Sequence, residues 1–179
     1  HAGAAPEAGI SAISVAAEAI SHMRLLRIDE ETTANIGSFL AEGSTNIVPA
    51  YARMEAEVRS MSLEKLAAQC THMQSCVQAA AEKFGASFRC EVQEGARPYR
   101  VPEDHPLVQR IVTLCRSVAI PVHLFGDGGA SDANSFAYHG IAAVALGCGM
   151  DKVHTPQETL ERSLFLQAAN ALAALITTI

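Results

Sequence analysis

The sequence predicts an α+β module followed by a segment of the α/β class. In the first half, amphipathic helices are interleaved with strands whose side chains alternate between polar and apolar. In the second half, helices are separated by short continuous apolar runs, which are typical of strands buried on both faces. Residues 96–106 are rich in proline and charge. We therefore expect one domain over residues 1–95, a linker over 96–106 and a second domain over 107–179.

The composition is that of a folded globular protein. Of the 179 residues, 49% are hydrophobic and 18% are charged, which excludes a disordered chain. The net charge of -6 argues against nucleic acid as a partner. No run reaches the roughly 18 apolar residues that a membrane span needs, so we expect no membrane. Five cysteines without a C-x-x-C pair favour reduced thiols in a cytoplasmic protein over a disulfide framework.

The first domain is predicted to begin with a helix over residues 6–26. Pro6 suits a helix start, and apolar residues then recur at a spacing of three and four. Strands are predicted over residues 32–39 and 46–59, and the second of them shows clear polar–apolar alternation.

A second helix is predicted from Ser62, a suitable N-cap, to Gly85, a suitable C-terminal cap. Residues 87–92 predict a third strand. Together these elements form a ferredoxin-like split β-α-β arrangement, with two helices on an antiparallel sheet, that lacks its first strand. Because the chain also opens at His1 without a methionine, we expect a fragment of a longer protein.

The second domain is predicted to alternate helix and strand. Helices are expected over residues 107–118 and 160–179, and buried strands over residues 121–125 and 141–146. Two strands cannot form a stable sheet alone, so this domain needs further strands.

Polar loops follow both of these strands. The first loop, residues 126–134, carries Ser131, Asp132 and Asn134, and the second carries His154. Ligands of open α/β sheets bind at the carboxyl ends of the strands, so the loops are expected to share a substrate cleft. The alternative is that Ser131 or Asp132 caps a helix. A hydrolase triad of Ser131, Asp132 and His154 is disfavoured, because an aspartate beside the serine cannot easily orient the histidine.

His154 also has two interpretations. Thr155, Pro156 and Glu158 fit a helix start with a capping box, in which His154 has no chemical role. Imidazole is, however, a good zinc ligand when carboxylates or further histidines lie near it. The chain contains no H-x-D and no H-E-x-x-H, so it supplies one convincing ligand, which is too few for a catalytic site.

Five short motifs follow one another in the order of a known family. They are His1-Ala2-Gly3 with Pro6 and Gly9, Thr45-Asn46-Ile47-Val48-Pro49, Glu57-Val58-Arg59-Ser60, Gly128-Gly129 with Ser131-Asp132-Ala133-Asn134, and His154-Thr155-Pro156. Through them the chain resembles the co-catalytic zinc metallopeptidases, which include peptidase T (tripeptide aminopeptidase), glutamate carboxypeptidase and the acetylornithine deacetylases. Residues 27–37 resemble the peptidase T-like branch in particular. Each motif alone is weak, but the ordered set spans nearly the whole chain.

The resemblance implies a two-domain enzyme in which a lid and dimerisation domain is inserted into a zinc-binding catalytic domain. Residues 1–95 would be the lid, and residues 107–179 the C-terminal part of the catalytic domain. His154 matches the last zinc ligand, and His1 matches a lid histidine that polarises the scissile carbonyl. The residues implied to contact substrate are Asn46, Arg59, Ser131, Asp132 and Asn134.

The family's other metal ligands and its general-base glutamate precede the lid and are absent from this chain. For the complete protein, the resemblance implies two zinc ions, metal-activated water attacking short peptides, and a homodimer formed through the lid. We expect the isolated chain to hold no zinc and to be inactive. Two alternatives stay open: a non-catalytic dimerisation or binding module, and an amidohydrolase or deacetylase of the same family.

Overall fold

The computed structural model describes residues 1–177, which divide into two compact units, His1–Pro98 and the residues from Tyr99 onward. The fold is α+β with antiparallel sheets, and the described residues contain five α-helices. None of these helices has the length and apolar character needed to cross a lipid bilayer.

The first unit contains two helices and a three-stranded antiparallel sheet of order β1-β2-β3. Both helices begin at a serine, because the Oγ atoms of Ser11 and Ser62 accept backbone N–H groups three residues further on, each at 3.3 Å. The second helix ends at Gly85, whose φ of +69° suits glycine. The elements are α1 (Ala12–His22), β1 (Leu26–Arg27), β2 (Thr32–Leu40), β3 (Arg53–Ser60) and α2 (Leu63–Phe84), after a 3-10 turn at Pro6–Ala8.

The two helices of this unit run antiparallel. Gln69, near the start of α2, donates a hydrogen bond from Nε2 to the carbonyl of Arg24, just beyond α1, at 2.8 Å. At the other end of α2, the Lys83 ammonium lies 2.6 Å from the Glu18 carboxylate of α1. The buried residues of both helices are mostly small, which lets helices approach closely. They include Ala16, Ala19, Ala80 and Ala81.

The ion pair between the helices predicts a pH dependence. The hydrogen bond from Lys83 holds the pKa of Glu18 below its usual range. A carboxyl group with a lowered folded-state pKa stabilises the fold at neutral pH, and this stabilisation is lost as the pH falls through the ordinary carboxyl range. Glu18→Gln should therefore lower the urea midpoint slightly at pH 7 and have no effect at pH 3. A Glu42→Gln control should match wild type at pH 7; an E18Q deficit that persists at pH 3 would contradict the ion-pair explanation.

A buried hydroxyl pair joins β2, β3 and the start of α2. Thr32 is 1% exposed, and its Oγ1 lies 3.0 Å from Oγ of Ser60, which also accepts the N–H of Ser62 at 3.1 Å. Removing one hydroxyl leaves the other buried without its partner. We expect Thr32→Val to reduce the free energy of unfolding by about 1–3 kcal/mol. Urea titrations of T32V, S60A and the double variant should show strong non-additivity; fully additive losses would mean that the hydroxyls do not interact.

The second unit contains three helices and a two-stranded antiparallel hairpin. Its buried cluster joins the first and last helices through Ile111, Cys115 and Ala171. His105 caps the first helix, because its Nδ1 accepts the N–H of Leu107 at 3.1 Å. The elements are α3 (Pro106–Ser117), α4 (Asp132–Tyr138), β4 (Met150–Asp151), β5 (Thr159–Leu160) and α5 (Arg162–Thr177).

Several predicted strands are wrong. Residues 87–92, 121–125 and 141–146 lie outside any strand, so the predicted buried α/β layer is not formed by the described residues. A strand needs a hydrogen-bonded neighbour, and an apolar run in a sequence does not reveal whether one exists. The third strand of the first sheet is instead the short β1, which pairs with β2.

Other boundaries also differ from the prediction. The strand predicted over residues 46–59 begins only at Arg53, and the helix predicted over 6–26 is the shorter α1, preceded by a 3-10 turn. The final helix begins at Arg162, and the last two residues of its predicted range lie outside the described residues. The capped helix starting at Ser62 and ending at Gly85 is confirmed.

Candidate functional site

The structure brings His1 and Asn46 together, although 44 residues separate them in the chain. The N–H of Ala2 donates to the carbonyl of Asn46 at 2.9 Å, so the two segments run side by side. The His1 ring is oriented locally, because its Nδ1 accepts the N–H of Gly3 at 3.1 Å. A neutral imidazole that accepts at Nδ1 carries its proton on Nε2. His1 is exposed, so this N–H can donate to a ligand.

The same contact region includes three more residues of the recognised motifs. The N–H of Ala12, at the start of α1, donates to the carbonyl of Pro49 at 2.8 Å. A Cβ placed on Gly9 would lie 3.3 Å from Cγ1 of Val48, tighter than most such contacts, so glycine allows the close approach. The region thus joins His1, Asn46 and the N-terminus of α1.

Arg59 lies at the opposite end of this unit. It is near the end of β3, opposite Thr33 in the ladder, and β3 leads there into the start of α2. Because the helices are antiparallel, that end is the one away from the Asn46 segment, which bonds to the N-terminus of α1. Two guanidinium nitrogens of Arg59 donate to the Glu57 carboxylate, Nε at 2.7 Å and Nη2 at 2.9 Å. This hydrogen bonding holds the pKa of Glu57 below its usual range.

Ser131, Asp132 and Asn134 form the start of α4. The Ser131 Oγ accepts the N–H of Ala133 at 3.3 Å, and Oδ1 of Asn134 accepts the N–H of Ser131 at 2.9 Å. These bonds make a capping box, so the capping interpretation of Ser131 is confirmed. Asp132 is exposed in the first turn, where a carboxylate is favoured by the helix dipole.

His154 lies in the loop that joins the two strands of the hairpin. β4 and β5 pair Met150 with Leu160 and Asp151 with Thr159, which leaves residues 152–158 as the connection. His154 has φ +63°, and its backbone N–H donates to Oε2 of Glu158 at 2.7 Å. The alternative interpretation of this segment as a helix start at Pro156 is wrong, because the next helix begins only at Arg162.

The predicted common cleft of the two polar loops depended on two strands that are not formed. Without strands 121–125 and 141–146, no sheet edge among the described residues unites Ser131, Asp132 and Asn134 with His154.

The hydrogen bond from His154 to Glu158 was not predicted from the sequence, for a local reason. Because Glu158 follows Thr155 by three residues, the sequence fits a capping box. In the structure the backbone is left-handed at Lys152 and His154, and the Glu158 carboxylate accepts the backbone N–H of His154 instead.

The residues present do not make a metal site on their own. Within residues 1–177, no three histidine, cysteine, aspartate or glutamate side chains are grouped closely enough to hold a metal ion. Catalytic zinc sites use three protein ligands. A single histidine such as His154 therefore does not complete a catalytic metal site by itself.

Comparison with known proteins identifies the first unit. Residues 1–85 match the peptidase dimerisation domain family, M20_dimer. The protein YqjE of Bacillus subtilis, described as uncharacterized, is 38% identical over 98% of this chain, which spans 47% of YqjE. The chain therefore covers about half the length of this curated relative.

Solved structures are similar over almost the whole chain. The aminopeptidase PepT of Bacillus cereus matches with a TM-score of 0.84 and 37% identity, over 98% of this chain and 47% of its own. A tripeptidase of Staphylococcus aureus matches with a TM-score of 0.88 and 32% identity, over 97% of this chain and 47% of its own. The B. subtilis protein YxeP, described as a dinuclear metal-binding M20 peptidase, shares the fold at 23% identity and a TM-score of 0.64. Residues 1–85 of this chain thus match the dimerisation domain of the M20 peptidases, and the chain is similar to peptidase T-like enzymes over about half of their length.

Proposed function

We propose that this chain supplies the lid and part of the catalytic domain of a zinc-dependent aminopeptidase that hydrolyses short peptides. The lid would be residues 1–95, and the catalytic part residues 107–179. The observation that carries the proposal is the dimerisation-domain match of residues 1–85, joined to 37% identity with an aminopeptidase over 98% of the chain. The isolated chain is inactive in this proposal, because one histidine cannot complete a catalytic metal site.

His1 is the proposed catalytic residue of the lid. Its Nε2–H would donate to the carbonyl oxygen of the scissile peptide bond, and the bond from Gly3 to Nδ1 supports this tautomer. A positioned donor stabilises the negative charge that develops on this oxygen. Asn46, held beside His1 by the Ala2 hydrogen bond, is the proposed neighbouring substrate contact.

The other proposed substrate contacts differ in whether their side chains already bond to other residues of the chain. Arg59 would have to exchange its Glu57 partner for a substrate carboxylate. Ser131 and Asn134 already serve the cap of α4, whereas Asp132 presents an exposed carboxylate that suits a substrate amine. His154 is the proposed metal ligand, with zinc as the proposed ion.

The chain is also proposed to form a homodimer through the lid. The dimerisation-domain match and the edge strand β3 support this, since an edge strand can pair across a two-fold axis. Sedimentation equilibrium of the 179-residue chain should give twice the monomer mass at micromolar concentration. A monomer at high protein concentration would contradict the dimer.

The proposed activity can be tested by exchange into a relative. This chain would replace the matching 47% of the B. cereus aminopeptidase, and the chimera would be assayed for tripeptide hydrolysis with and without added zinc. We expect zinc-dependent hydrolysis by the chimera and none by the chain alone. A dimeric, zinc-loaded chimera without hydrolysis would refute the peptidase assignment and favour a non-catalytic dimerisation module. Hydrolysis of N-acetylated amino acids instead of tripeptides would favour a deacetylase.

A further inference from the structure

We propose that Glu158 is a positioning residue for His154, and that its carboxylate, together with Thr155, fixes the backbone at His154 and so the direction of its Cα–Cβ bond. The inference rests on the proposed function only in taking His154 as a site residue. The observations behind it are the hydrogen bonds of the loop of residues 152–158, which hold the backbone at His154 in place.

The backbone at His154 needs a specific restraint. Its φ of +63° is a left-handed conformation that few residues with a side chain adopt, although histidine, asparagine and aspartate adopt it more often than the others. Lys152, two residues earlier, has φ +52°. Two such residues so close together are kept only where surrounding bonds over-determine the conformation.

Burial cannot provide that restraint. Every residue of the hairpin from Asp151 to Leu160 is exposed, so no packed core presses on the His154 ring or on its neighbours. The left-handed backbone at His154 is therefore held by hydrogen bonds within the loop, and the backbone sets the direction in which the side chain leaves it.

Glu158 supplies two of these bonds. Its Oε2 accepts the backbone N–H of His154 at 2.7 Å, and its own N–H donates to the carbonyl of Thr155 at 3.0 Å. The residue thus bonds on both sides of the His154–Thr155 peptide. A bond to a charged acceptor is about twice as strong as a neutral one, which suits an exposed position.

Thr155 closes the other side of the loop. Its Oγ1 donates to the carbonyl of Lys152 at 2.7 Å and accepts the N–H of Gln157 at 3.2 Å. Outside the loop, the N–H of Glu161 donates to the carbonyl of Gly149 at 2.9 Å and anchors the hairpin to the start of α5. Between these fixed ends, the Glu158 carboxylate is the side-chain group that bonds to the backbone of His154 itself.

The test is amide hydrogen exchange of the 179-residue chain, measured by NMR. In Glu158→Ala, exchange of the His154 N–H should be faster than in wild type by about 10-fold or more, because a charge-assisted hydrogen bond is lost. Glu158→Gln keeps an acceptor oxygen and should restore most of the protection. Glu161→Ala is the matched control, since the Glu161 carboxylate contacts Ser163 instead of the loop, and it should leave His154 unchanged.

The three-bond coupling between the amide and α protons of His154, which reports φ, should change in E158A and recover in E158Q. Unchanged exchange and coupling in E158A, or an equal loss in E158Q, would overturn the proposal. Chemical shifts of α3 and α5 check that each variant is folded. An inactive aminopeptidase chimera with intact His154 protection would refute the proposed function and leave this inference standing.

Discussion

Replacing Gly149 by alanine is expected to destabilise the second unit by about 2–4 kcal/mol, combining backbone strain with overpacking. Gly149 has φ +87°, where a residue with a Cβ is strained. The added Cβ would lie 2.6 Å from Cβ of Leu164 and 3.1 Å from the carbonyl oxygen of Glu161. Both contacts are with the start of α5, which cannot move without breaking the Glu161–Gly149 hydrogen bond.

The measurement is urea unfolding, followed by NMR signals of α5. Gly147→Ala, two residues earlier, is the matched control: nothing lies within 4 Å of a Cβ there, and its φ is not positive. We expect the control to stay within about 0.5 kcal/mol of wild type. Equal effects of the two substitutions would show that the contact between Gly149 and α5 does not limit stability.

His1→Ala, made in the aminopeptidase chimera, is expected to lower kcat by about 100- to 1000-fold, the usual cost of losing one donor to a developing oxyanion. Metal content should be unchanged, because the proposed role of His1 is to bind the substrate carbonyl. The measurements are tripeptide kinetics and zinc content by elemental analysis of the dialysed protein.

His154→Ala is the comparison that separates the two histidines. We expect it to reduce both zinc content and kcat, since the proposed role of His154 is metal binding. Zinc loss in the His1→Ala protein would contradict the assignment of His1 to the lid. Full zinc occupancy in the His154→Ala protein would contradict the assignment of His154 as a ligand.

The sequence predicted helix ends correctly where the capping groups lie close together along the chain. Ser62 and Gly85 bound a helix because a hydroxyl and a glycine satisfy its terminal groups without help from elsewhere in the chain. The same holds for Ser131 and Asn134, which cap α4 as a pair. In contrast, the apolar runs at residues 121–125 and 141–146 predicted buried strands, but most of these residues are exposed, because strand formation and burial depend on a neighbouring strand.

For the candidate site, too, the sequence determined some features and the tertiary structure determined others. The sequence alone determined which side chains are candidates, from His1 and Asn46 to His154, and its ordered motifs established the resemblance to the zinc metallopeptidases. Only the tertiary structure decided that His1 and Asn46 are adjacent, that Arg59 lies at the far end of its unit, and that Glu158 bonds to His154. The physical reason is that motifs record residue types and spacing, whereas adjacency and direction depend on long-range hydrogen bonds and on left-handed backbone positions.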